Sequence, residues 1–168
     1  MPISMYQVSL PPLVRALTNL SATLRKAEKH AKSRGIDPTI LLNARLYPDM
    51  FPLMRQIQLT TDFAKGAAAR LAGVEVPKYP DNETTFAEAR ARIAKCIRFL
   101  RSFKARQIDG SEMRPIVLQT GRGALHFKGQ SYLLSFALPN FYFHATVAYA
   151  ILRHNGVELG KRDFIGPL

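Results

Sequence analysis

The stretch Leu133–His154, LLSFALPNFYFHATVAYAILRH, decides the fold. It carries five aromatic side chains, Phe136, Phe141, Tyr142, Phe143 and Tyr149, and it ends just ahead of Gly156. Apolar residues fall on nearly every side of a 3.6-residue repeat, the pattern of a central helix in an all-helical protein. Pro139 predicts a bend. The chemistry inside the run is one amide and one imidazole: Asn140 and His144 stand four positions apart, which puts both on one helix face.

Upstream, Leu10, Leu13, Leu17, Leu20, Leu24, Ala27 and Ala31 step by threes and fours, so they draw one apolar stripe on a helix. Pro11 and Pro12 predict that the regular helix begins near them, and Gly35 that it ends there. Asp37-Pro38 predicts a cap and a short helix over 39–44. Pro48 and Pro52 precede a helix over 51–72, with Met54, Ile57, Thr61, Ala64, Ala68 and Leu71 inward and Gly73 after its end. A third long helix is expected over 85–103, with Phe86, Ile93, Ile97 and Leu100 inward and a capping box between Thr85 and Glu88. The period changes over 111–128: Pro115–Leu118, Gly121-Arg122-Gly123 and Ala124–Phe127 read as a hairpin. The tail after Gly156 is expected to pack back through Phe164 and Ile165. The expectation is an all-α four-helix bundle with a small β-hairpin insert before the last long helix, in a single domain over 1–168.

The 168 residues suffice to bury roughly 70% of the unfolded surface. One cysteine, Cys96, excludes an intrachain disulfide framework, and its place in a helical pattern makes it a buried structural thiol. MPISMYQVSL lacks the basic and apolar regions of a signal peptide, and the run from Ser135 to Arg153 is too interrupted for a membrane span. A cytoplasmic protein is expected. The net charge of +12 steers anionic partners toward the surface. Its densest run is Arg90, Arg92, Lys95, Arg98, Arg101, Lys104 and Arg106, read first as a solvated face and second as a strip for nucleic-acid phosphates.

No serine–histidine–carboxylate arrangement and no Gly-rich phosphate loop is present. Asn140 and His144 could join Asp62 of the second long helix, with Gln58 a turn before it, in a labile divalent-metal site. The competing reading is a buried polar cluster in which these groups satisfy one another. Asp62, Lys65 and Arg70 form a charged group suited to pinning their helix to nearby loops or to walling a pocket. His30 and His154 sit in last helical turns, where imidazoles meet free carbonyls, and His126 is expected at the surface. The aromatic excess of the last helix suggests a homodimer interface or a lined cavity.

Three segments carry a family resemblance: ISMYQVSLPPLVRAL (Ile3–Leu17), YPDMFPLMRQIQLTTDFAKGAAARLAG (Tyr47–Gly73) and LPNFYFHATVAYAILRHNG (Leu138–Gly156). They resemble DUF1993, a bacterial family of unknown function within the DinB/YfiT-like helical superfamily. That resemblance covers the full chain. It implies a four-helix bundle, often dimeric, with a divalent metal on three histidines in several members, one on the second helix and an HxxxH pair on the last. Thiol-dependent transfer or isomerisation is ascribed to some members. Here the last-helix pair corresponds to Asn140 and His144, the second-helix position falls near Asp62, beside Gln58 and Phe63, and that helix has no histidine. The expectation is therefore a DinB-like protein with an altered metal pocket, in which His144 is base or ligand, Asp62 orients it and Asn140 positions a water or small-molecule oxygen. The rivals are a non-enzymatic dimeric scaffold and a basic nucleic-acid-binding protein.

Overall fold

The computed structural model describes residues 3–121 and 123–167. Helix α1 (Met5–Arg34) starts ahead of the prolines rather than at them. Ser4 sets that start: its Oγ accepts from the Gln7 amide and the Gln7 side chain accepts from the Ser4 amide, each at 3.2 Å. Pro11 and Pro12 lie inside α1, where neither can donate to the carbonyl four residues back. Helix α2 (Pro38–Asn43) is capped by Asp37, and α3 (Leu53–Ala72) ends on Gly73 at φ +71°. Helix α4 (Phe86–Arg101) has the expected box: Glu88 accepts from the amides of Thr84 and Thr85. A short α5 (Ala105–Ile108) leads to an antiparallel pair, β1 (Pro115–Thr120) and β2 (Gly123–Lys128). Arg122, in its turn, lies outside the described residues. Helix α6 (Gly129–Tyr132) runs through a π turn (Leu133–Ala137) into α7 (Leu138–His154), and α8 (Lys161–Ile165) ends the chain.

The described residues are mainly helical with one two-stranded hairpin, and four of the eight α-helical segments among them are long. Cross-contacts fix their directions. Tyr6 at the start of α1 donates to Asp109 past the end of α4, whereas Glu28 near the end of α1 pairs with Arg90 near the start of α4, so the two are antiparallel. Against α3, α7 is antiparallel: Gln56 meets His144, and Arg70 meets Tyr132. Helices α3 and α4 run the same way, since Thr61 meets Arg92 and Lys65 lies near Cys96. Two parallel neighbours require a long crossover, and residues 74–85 provide it.

The core is one apolar cluster drawn from all four long helices and β1, with Phe86, Tyr132 and Phe141 its largest fully buried side chains. The irregularity expected at Pro139 sits one turn earlier, where the Leu138 amide reaches back five residues to the Leu133 carbonyl. A turn widened there accommodates a proline, which has no amide proton to give to the helix ladder. Of the two tail residues, Phe164 packs its edge on Tyr149 while Ile165 stays partly exposed. The tail is tied to α1 by Lys26–Asp163 and by Asn19 donating to the Phe164 carbonyl. No helix among the described residues is long and apolar enough to cross a membrane.

Candidate functional site

His144 is buried at the α3–α7 interface, 9% exposed. Its ring stacks on Phe63 (centroids 5.5 Å apart, planes at 14°), and the Phe143 ring meets it edge-on. Nδ1 lies 2.8 Å from Gln56 Oε1. The orientation of that amide follows from its other end, where Gln56 Nε2 donates to the Phe51 carbonyl at 3.1 Å. A flipped amide would set two oxygens against each other, so Oε1 faces the ring and Nδ1 must carry the proton. Nε2 keeps its lone pair. It has no hydrogen-bond partner among the described residues. Burial foremost, and the Arg55 cation next, hold the imidazole below its ordinary pKa, so it is neutral at pH 7.

Asn140 is half-buried on the same helix, one turn before His144, and its Nδ2 donates to the Phe136 carbonyl of the π turn at 2.7 Å. Asp62 is engaged elsewhere: its Oδ1 accepts from Lys65 Nζ at 2.6 Å and from Arg92 Nη2 at 2.9 Å. The neighbour of His144 on α3 is thus Gln56, not Asp62. One step along a helix turns a side chain by about 100°, so Asp62 follows the α4 face while Phe63 follows the α7 face. Gln58 also turns away from the imidazole and donates to Glu83 at 2.9 Å.

Arg92 departs from its expected place on a solvated face. Its side chain is 2% exposed and holds the crossover: Nε donates to Thr61 Oγ1 at 2.7 Å, Nη1 to the Pro80 carbonyl and Glu83, and Nη2 to Asp62 and Asp81. Tyr79 closes the cluster, with Lys65, Lys95 and Arg92 around its ring. Asp62 pairs with Lys65 and with Arg92 of α4 rather than with a loop, Lys65 meets the loop through the Tyr79 ring, and Arg70 donates to the Tyr132 hydroxyl at 3.0 Å. Arg90 is spent on Glu28, which leaves Lys95, Arg98, Arg101, Lys104 and Arg106 as the exposed part of the basic run. Cys96 is fully buried, its thiol directed at the Thr61 carbonyl, and burial pushes its pKa up to about 12. His126 and His154 are exposed, and His30 is half-buried beside Gly156.

Gln56 escaped the sequence reading, although a signal existed: Gln56, Thr60 and Phe63 repeat at helical spacing on α3 and share the face that meets α7. Thr60 is fully buried and donates to the Gln56 carbonyl at 2.7 Å.

The architecture is that of the DinB-type helical proteins. A crystal structure of a DinB family member from Shewanella denitrificans is similar at a TM-score of 0.89 and 40% identity, over 97% of this chain and 92% of that one. The family model described as a domain of unknown function, DUF1993, matches residues 5–165, and the chain belongs to that family. Among curated proteins none matches.

A three-histidine metal centre, the kind that the resemblance implies, would need donors that the described residues do not bring together. No group of three His, Cys, Asp or Glu side chains able to hold an ion occurs among the described residues. The one imidazole has two amide neighbours, and the nearest expected carboxylate is neutralised by two cations. The donor set does not fit such a centre, since neutral amide oxygens are weak substitutes for imidazole at a borderline ion.

Proposed function

We propose that this DinB-like protein binds a small molecule between α3 and α7 and presents to it the neutral imidazole of His144. The observation that carries the reading is the Phe51–Gln56–His144 relay, which holds the ring proton on Nδ1 and leaves Nε2 an acceptor. A fixed neutral imidazole can take a hydrogen bond, or a proton, from a ligand at neutral pH. Phe63 and Phe143 supply apolar walls, and the Asn140 carbonyl oxygen adds a second acceptor on the same face. In any general-base reaction Gln56 would be a positioning residue, and Asp62 would act on the crossover rather than on the imidazole.

Two measurements test this. Diethyl pyrocarbonate attacks unprotonated, reachable imidazole nitrogen, so mapping by mass spectrometry is expected to find His144 modified at neutral pH, with a rate that falls on acidification. A ring inert until unfolding would contradict the reading. Equilibrium dialysis against zinc, nickel and manganese is expected to give far less than one ion per chain. Stoichiometric uptake abolished by His144→Ala would restore the altered metal pocket.

A second, non-catalytic reading is favoured by Leu134, Tyr142 and Phe143, all left exposed along the aromatic helix. These residues would form the face of a homodimer. Sedimentation at micromolar concentration decides it: a clean monomer removes the dimer.

A further inference from the structure

A second cleft lies beyond Phe63, on the side of the ring away from the relay. It measures about 290 Å³ and runs between α3 and the hairpin. Leu59, Asp62, Phe63 and Arg70 form one stripe of α3 along its floor, β1 covers it from Val117 to Thr120, and Phe136 of the π turn closes one side. Phe63 and Phe136 meet edge to face at 5.9 Å, which gives the cleft an aromatic wall.

Arg70 is the unusual group. One guanidinium nitrogen donates to Tyr132, and the ring of that tyrosine lies 5.8 Å away. The other guanidinium donors have no partner among the described residues, and no carboxylate pairs with the side chain. The neighbouring cations Lys65 and Arg92 are both committed to acids. Gly66 makes the arrangement possible: a Cβ there would stand 2.4 Å from Arg70 Nη1, so the guanidinium folds over a bare patch of helix. An unpaired planar donor fork at the end of an apolar cleft is a receptor for a planar oxyanion.

We infer that this cleft binds a small organic carboxylate with an apolar or aromatic body, its carboxylate on Arg70 and its body against Phe63 and Phe136. A phosphate dianion suits it less. Among the described residues that line the cleft, Arg70 is the one cation, and a single guanidinium matches the charge of a monoanion. The cleft stands independently of the His144 relay.

The test uses the full chain with 15N-labelled arginine and two probes of equal shape, 3-phenylpropanoate and 3-phenylpropanamide. The acid is expected to shift the Arg70 Nε–H signal saturably and to bind roughly tenfold or more tightly than the amide. Arg70→Gln should erase that difference, and Arg101→Gln, on the exposed face of α4, should leave it intact. Should Arg70→Gln fail to fold, Val117→Glu sets a carboxylate at the exposed wall and is expected to weaken the acid selectively. Equal binding of acid and amide, no saturable shift of Arg70 up to about 10 mM probe, or an acid preference that survives Arg70→Gln would overturn the inference.

Discussion

At the scale of single residues, the imidazole of His144 is defined by what stands behind it. Gln56 turns its oxygen toward Nδ1 because its amide nitrogen donates to the Phe51 carbonyl on the other side. Gln56→Leu would keep most of the volume and strand a buried N–H. The expected loss is about 1–3 kcal/mol in urea unfolding, with a mixed tautomer in the imidazole 15N spectrum. Cys96 makes the opposite case, a nucleophile put out of use. With its thiol buried and its pKa raised to about 12, labelling by a disulfide reagent at neutral pH should track global unfolding rather than precede it. Sequence spacing located His144 and Asn140 on one face and gave Cys96 its structural role. It chose Asp62 as the partner on α3, with Gln58 a turn before it, and passed over Gln56, which meets the ring. The actual partner depends on helix rotation and on Arg92, whose burial no periodicity of charged residues reveals.

Secondary-structure elements were largely legible, because each long helix has a stripe, a cap or a terminating glycine that reads locally. The misses have separate causes. The start of α1 moved upstream because the Ser4–Gln7 box outweighs two prolines, and the bend at Pro139 became a π turn because helix packing chose which turn would widen. The crossover over 74–85 read as a polar, proline-rich link, yet it is clamped through Pro80, Asp81 and Glu83 to a nearly buried Arg92. Arg92→Met should leave Asp62 and Glu83 without their central cation. A loss of about 3–5 kcal/mol follows, together with faster amide exchange over 74–85 while α1 exchanges as before. Unchanged exchange in that segment would mean that Arg55–Asp81, Gln58–Glu83 and Tyr79 hold the crossover without Arg92.

For the whole molecule, α3 carries both the relay and the Arg70 cleft, and the ring of Phe63 belongs to both. The parallel placement of α3 and α4 leaves α4 to carry the remaining exposed basic residues away from both. Stability should respond to pH through His144. Its folded pKa lies below the ordinary 6.5, so as pH falls under that value the unfolded chain takes up a proton that the folded chain resists. Stability is therefore complete above about pH 6.5 and declines through the window below it. His144→Gln should flatten this part of a urea-midpoint profile.

The most direct measurement is two-bond 1H–15N correlation spectroscopy of the histidine rings at pH 7, with His144 assigned by His144→Gln. The structure predicts a neutral ring with its proton on Nδ1 and a bare Nε2 whose signal moves when a ligand is added. A ring protonated on Nε2, or charged at pH 7, would contradict the relay and the function built on it.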